Sequence, residues 1–246
     1  MPIIAVDIGN SFTKFGWAKE TTSQLDHFLA IPNTTPLQQT LVNRIRQSFL
    51  ASPETSPPIE TIHWACSSVN PPRLTELQNF LMSNFPADSL LVINEQQVPL
   101  KTEVEFPEKL GRDRLIAAWR ATELSTYRPL IVIDAGTAVT LDFIDSRGIH
   151  LGGLILPGGQ MMLAALGQQT NSLPNLSAQE KKESSVADDE GPDTSVSGNA
   201  TTPPTTLPLY GINTFQAISW GVYRCQIAVL HSCVKDAADK WGQAPQ

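Results

Sequence analysis

A motif that occurs twice constrains this chain most: Val6-Asp7-Ile8-Gly9 with Thr13 is matched, 127 residues on, by Ile133-Asp134-Ala135-Gly136 with Thr140. Solenoid repeats have periods of roughly 20–50 residues, so this spacing points to a duplicated domain with a cleft between the copies. Each copy opens on an apolar run that suits a buried strand, at 3–6 and 130–133. A glycine turn follows, and then a returning strand, 12–17 in the first copy. The boundary falls near residue 122, giving an N-terminal domain over 1–122 and a C-terminal domain over 123–246.

Between the motifs the periodicity alternates in the manner of an α/β chain. Leu37, Leu41, Ile45 and Leu50 recur at near-helical spacing after Pro36; 59–69 reads as a strand, 72–84 as a helix opening on proline, and 90–93 as a strand. From Asp113 onward Leu115, Ile116, Trp119 and Leu124 form a helical face that links the halves, and Ala217, Trp220 and Gly221 form another downstream. Residues 177–206 stand apart. Their only large apolar residues are Val186 and Val196, and six acids against two lysines give them a charge of −4. Such a stretch buries too little surface to offset its ordering entropy, so a disordered insertion is expected there.

Charge and cysteine content narrow the function. Seventeen basic against 24 acidic residues leave a net charge of −7, the wrong sign for neutralising a nucleic-acid backbone. Three cysteines without C-x-x-C spacing and four scattered histidines indicate neither a disulfide framework nor a zinc site, which fits a cytoplasmic setting. The first residues lack the basic region of a secretory signal, and glycines and Pro157 interrupt the uncharged stretch 148–167, so no membrane segment is expected.

Several segments carry chemistry. Asp7-Ile8-Gly9-Asn10-Ser11-Phe12-Thr13-Lys14 places a carboxylate at a strand end beside a glycine, hydroxyl and amide groups and a lysine, the parts that hold a nucleotide phosphate and its Mg²⁺. Read alone it is better taken as a hairpin turn choosing Gly-Asn for backbone reasons; the second copy at Asp134-Ala135-Gly136-Thr137 shifts the reading to phosphate. Gly111-Arg112-Asp113-Arg114 opens a helix, where Asp113 is either a capping acid or a general base, and where Arg114 and the helix N-terminus suit an anionic substrate. The glycine-rich 151–159 reads as a strand closed by Pro-Gly, and Asn213 or Thr214 caps the following helix or meets a ligand carboxylate.

Taken in order, the two D-x-G turns, G-x-D-R, G-G-x-I-x-P-G and G-x-N-T resemble type III pantothenate kinases, within the acetate and sugar kinase and actin-like ATPase superfamily. The resemblance runs from Met1 to about Tyr223, apart from the insertion. It implies duplicated ribonuclease-H-like domains with mixed sheets and a central cleft. It also implies ATP held with Mg²⁺ by residues 7–14 and Thr137, and Asp113 as acceptor of the pantothenate hydroxyl proton. Gly111, Arg112, Asp113, Arg114 and Thr214 match substrate-binding positions. Phe106 is the aromatic residue nearest to Val104, where many relatives carry a substrate-contacting tyrosine. Asp134 matches the ligand of a monovalent cation, K⁺ or NH₄⁺, and the family implies a homodimer. Relatives continue past the last helix into a strand and a Thr-Gly-Gly turn that are lacking before Gln246, so the second copy is expected to be truncated at its C-terminus.

Three readings follow. The first is an ATP-dependent pantothenate kinase making 4′-phosphopantothenate in the first step toward coenzyme A. The second is a catalytically impaired nucleotide- or pantothenate-binding remnant or accessory regulator, and the third another small-molecule kinase of the superfamily. Carboxylates at positions 7, 113 and 134 favour the enzyme.

Overall fold

In the opening run Ile4, Val6 and Ile8 alternate with Ile3, Ala5 and Asp7, so an extended backbone sends the first three to one face. In the computed structural model, which describes residues 3–17, 27–37, 61–176 and 208–246, β1 (Ile3–Ile8) buries these three and leaves Ile3 half exposed. The chain then reverses through residues 9–12 into β2 (Phe12–Trp17), paired antiparallel to β1 from Ile8 opposite Thr13 to Ile4 opposite Trp17. β3 (His27–Pro32) adds to β2 antiparallel. On the other side β4 (His63–Ser68) runs parallel to β1, and β5 (Ser89–Val92) parallel to β4. The sheet order is β3-β2-β1-β4-β5.

The parallel step from β4 to β5 needs a crossover, supplied by α1 (Pro71–Asn84). It starts where expected. Asn70 caps it by accepting from Arg73 N at 3.2 Å, and two prolines fill its first positions, where a missing N–H costs nothing. Leu77 and Leu81 then pack onto Ile4, Val6, Ile8, Phe15, Trp64 and Cys66, with Phe15 and Trp64 edge to face at 6.5 Å. α2 (Arg112–Leu124) packs against β4 and buries Leu115 and Ala118. The expected stripe is thereby corrected at its end: Leu124 is 68% exposed and Ala118 takes the inner position.

The contacts divide the chain into two units, Met1–Thr126 with Gly148–Gly152, and Tyr127–Arg147 with Gly153–Gln246. The second has the three-stranded order β6-β7-β8, from β6 (Leu130–Ala135), β7 (Ala138–Ile144) and β8 (His150–Pro157). Two helices follow, α3 (Gly159–Gln169) and α4 (Thr214–Trp241). Val139 and Leu141 pack with Cys233, Val229 and Leu230 of α4, and Leu163 of α3 packs with Ile218 and Val222. The inner stripe of α4 is thus Ile218, Val222, Cys233 and Ala237, one position round from the expected face, and Ala217 is exposed. Gly242, at φ 68°, ends the helix in the left-handed conformation that glycine adopts without penalty. The class is α/β, with a mixed five-stranded sheet in the first unit. Most of the predicted helix after Pro36 and the acidic stretch 177–206 lie outside the described residues.

The two hairpins differ in register, which the sequence repeat hides. Asp7 pairs with Lys14 and Ile8 with Thr13, whereas Asp134 pairs with Thr140. Directly paired residues share a face, and a one-residue slip exchanges faces. Thr13 therefore lies on the core face, opposite to Asp7, while Thr140 lies on the same face as Asp134.

Candidate functional site

In the first unit the turn after β1 is closed by Gly9 N donating to Phe12 O at 3.0 Å. Asn33, just beyond β3, fixes its carbonyls. Its Nδ2 donates to Gly9 O at 2.8 Å and Asn10 O at 3.0 Å, and its backbone N donates to Ser11 O at 2.8 Å. In a trans peptide the C=O and N–H point in opposite directions, so the N–H groups of Asn10, Ser11 and Phe12 all face away from Asn33. Successive N–H groups presented on one side of a turn make an anion-binding surface. Beside it Lys14 Nζ lies 3.3 Å from Asp7 Oδ2, both side chains less than half exposed. Two residues of this loop take no outward part through their side chains: Ile8 is in the core, and Thr13, fully buried, is bonded to Asn33 and Arg73.

On the face of Asp7, register places Ser67 directly alongside it, buried and with its Oγ unpartnered among the described residues. The start of α2 lies near the same strand. Cys66 shows this electrostatically: burial first, then the Asp7 carboxylate, push its thiol up to about 12, while the Arg112 guanidinium opposes them. Arg112 itself is taken up structurally, its Nε 2.6 Å from Glu95 Oε1, and that bond holds the Glu95 carboxyl below the usual carboxylate range. Asp113 follows in the first turn, its Oδ1 accepting from Arg114 N at 2.8 Å. Its second oxygen takes no hydrogen bond among the described residues. Gly111 leaves room for that carboxylate, since a Cβ at its position would stand 2.6 Å from Asp113 Oδ1 and move it. Phe106 is 49% exposed, with Lys109 Nζ 4.3 Å from its ring centroid.

The second unit presents Asp134 and Thr137 exposed at the end of its hairpin. Thr140 faces the same way as Asp134, its Oγ1 buried and unpartnered among the described residues. Two glycine motifs that are distant in sequence meet here. Gly158 N donates to Thr137 O at 3.1 Å, and a Cβ on Gly158 would collide with the carbonyls of Gly136 and Thr137. The Pro-Gly-Gly segment thus owes its glycine to close packing against the second D-x-G turn. Thr214 stands exposed at the first position of α4, which Asn213 caps by accepting from Gln216 N at 2.9 Å. It lines a cavity of about 630 Å³ between α3 and α4, whose wall includes Met162, Leu166, Ile212 and Val222.

The family model for type III pantothenate kinase matches residues 3–236. The chain belongs to the type III pantothenate kinase family. It is similar to the type III pantothenate kinase of Sulfurihydrogenibium sp. (strain YO3AOP1), 27% identical over 97% of this chain and 83% of that one. With the type III pantothenate kinase of Rhodopirellula baltica it is 45% identical over 84 residues, 34% of this chain and 30% of the other's length. Among solved structures it is similar to a propionate kinase from Francisella tularensis, at 14% identity and TM-score 0.33 over 63% of this chain and 57% of that one.

The residues around these turns that the sequence did not single out are Asn33, Glu95 and Ser67, while Thr140, part of the repeated motif, owes its place beside Asp134 to register. Asn33 follows Pro32 in what reads as an ordinary turn, and nothing in its neighbourhood points 24 residues back to Gly9. Glu95 precedes Gln97 in a capping arrangement with Asn94, so its sequence signal is local. Ser67 becomes noticeable only once strand register is known.

Proposed function

We propose that this chain transfers the γ-phosphoryl group of ATP to the primary hydroxyl of pantothenate, yielding ADP and 4′-phosphopantothenate, the first step toward coenzyme A. The observation that carries the reading is the family match over residues 3–236, with Asp113 held at the start of α2 by the Arg114 N–H. Asp113 accepts the hydroxyl proton while the substrate oxygen attacks the γ-phosphorus. The bond from that phosphorus to the β–γ bridging oxygen breaks, and ADP leaves with the electron pair.

The phosphate chain fits the first turn, where the N–H groups of Asn10, Ser11 and Phe12 and the Lys14 ammonium are donors and Asp7 is an oxygen ligand suited to Mg²⁺. The donor set in the second unit suits an alkali cation: the Asp134 carboxylate and the orphaned Thr140 hydroxyl offer hard oxygens on one face. When bound, these ions supply charge neutralisation for the transferring group. Thr137 is assigned to ATP. Gly111, Arg114, Thr214 and Phe106 are assigned to pantothenate, with Arg112 acting through its hold on Glu95. A homodimer and a cytoplasmic setting belong to the same reading; no helix among the described residues is long and apolar enough to cross a membrane.

A coupled ADP-release assay with ATP, Mg²⁺ and K⁺ tests this, comparing pantothenate with glucose, acetate and no acceptor. Pantothenate alone should drive ADP release, and turnover should fall when Na⁺ replaces K⁺. Asp113→Asn should lower turnover by roughly 10²–10⁴-fold with ATP affinity nearly intact. Release driven by glucose or acetate, or none from folded protein, overturns the reading.

A further inference from the structure

Asn33 is bonded on both sides, and the protons on those bonds have only one consistent arrangement. Arg73, 4% exposed on α1, directs its Nε to Thr13 Oγ1 at 3.1 Å. A guanidinium nitrogen only donates, so the Thr13 oxygen accepts there and its single proton goes elsewhere. The bond available is to Asn33 Oδ1, at 2.7 Å. With its carbonyl oxygen committed to Thr13, the Asn33 amide turns its Nδ2 toward Gly9 O and Asn10 O, two groups that only accept. The far end is anchored as well. Arg73 Nη1 donates to Glu76 Oε2 at 2.6 Å, and Glu76 Oε1 accepts from Leu37 N at 2.9 Å.

From this geometry we infer that Asn33 is a positioning residue for the nucleotide: held by the Thr13–Arg73–Glu76 chain, it turns the carbonyls of residues 9–11 inward and so aims the N–H groups of Asn10, Ser11 and Phe12 at the phosphate. This rests on the kinase reading above. Thr13, expected to touch ATP, acts through Asn33 instead. The carbonyls on the Asn33 side would repel a phosphate, so the turn binds an anion only in the orientation that Asn33 imposes.

Nucleotide binding without turnover tests the inference on the full-length chain. Titration calorimetry with MgATP is run on wild type, Asn33→Asp and Asn33→Ala, beside steady-state kinetics. Asn33→Asp keeps the shape but sets carboxylate oxygens against the Gly9 and Asn10 carbonyls. Both variants should raise the MgATP Kd by roughly tenfold or more, the scale of two lost hydrogen bonds. The KM for ATP should rise with it, while the KM for pantothenate stays unchanged, a split that general loosening would not produce. Where neither variant folds, amide resonances of wild type decide: MgATP should shift Asn10, Ser11 and Phe12 strongly. Wild type that binds no MgATP overturns the kinase reading. Wild type that binds, with a folded variant binding as tightly or with those three amides unmoved, overturns the role of Asn33 alone.

Discussion

At Gly111 one added methyl group would meet Asp113 Oδ1 at 2.6 Å while the backbone, at φ −57°, accommodates alanine without strain. Gly111→Ala should therefore fold normally and push the carboxylate aside. Displacements of about 1 Å cost on the order of 10²-fold in rate, so kcat should fall by about that factor in the ADP-release assay. An alanine variant with wild-type kcat would mean that the carboxylate does not work from its observed position. Cys66 behaves in the opposite way, as a group made inert: buried, beside the Asp7 carboxylate, and with its thiol pushed up to about 12, it has almost no thiolate at pH 8. A thiol reagent at pH 8 should modify exposed Cys225 rapidly and Cys66 only after urea is added, as peptide mass mapping would show. Rapid labelling of Cys66 in folded protein would contradict that environment. The placement of Asp7 at a strand end and of Asp113 at a helix start was legible in the sequence because each closes or opens a strongly patterned element. Asn33 was not, because its importance lies in carbonyls that it meets from another strand.

Strands and helices with clean periodicity were legible, including β1, β2, α1 and α2, while β3 and α3 were not. β3 carries apolar Phe28 (63% exposed) and Ala30 on its outer face as well as Leu29 and Ile31 on the inner one, so its sequence lacks the apolar–polar alternation that marks a half-buried strand. α3 begins at Gly159 inside a glycine-rich run that reads as a strand and turn, and its helical character rests on Met162, Leu163 and Leu166 packing onto α4. The register slip between the hairpins was invisible for a different reason, since turn length and not the D-x-G motif sets it. Two carboxylates tie helices to their surroundings and give the fold a pH dependence. Burial disfavours the ionised form of Glu76, but the Leu37 N–H and the Arg73 guanidinium outweigh it and lower its pKa; the Arg112 bond lowers that of Glu95. Because the folded values lie below the unfolded ones, near 4.5, both stabilise the protein above that pH. The contribution is lost as pH falls through the lowered folded values. In urea melts Glu95→Gln should be less stable than wild type by a constant margin well above pH 4.5, and the margin should close below it. A margin that is the same at pH 3 and pH 7 would remove the ion pair as its cause.

Over the whole molecule, the order of five weak motifs identifies the family although each alone also has a bland reading, because spacing over more than 200 residues is hard to reproduce by chance. Connectivity is less legible. The chain does not finish one unit before starting the other: residues 148–152 return to the first unit, and β8 begins there and ends in the second. His150 fixes that return. It is fully buried, its backbone N donates to Lys101 O at 2.9 Å, its O accepts from Glu103 N at 2.9 Å, and its Nδ1 lies 3.0 Å from Thr102 Oγ1. Removing the ring leaves a cavity and strips the Thr102 hydroxyl of this partner, so His150→Ala should cost about 2–4 kcal/mol of stability. Thr102→Val should cost less, since it removes one hydroxyl and keeps the volume. If the side-chain bond is what joins the segment to its unit, the two losses are not additive. The double variant should be more stable than their sum implies, by about 0.5–1.5 kcal/mol, in urea melts of all four proteins. Strict additivity would show that the backbone pairing at residues 101–103, which neither substitution touches, holds residues 148–152 without help from the ring.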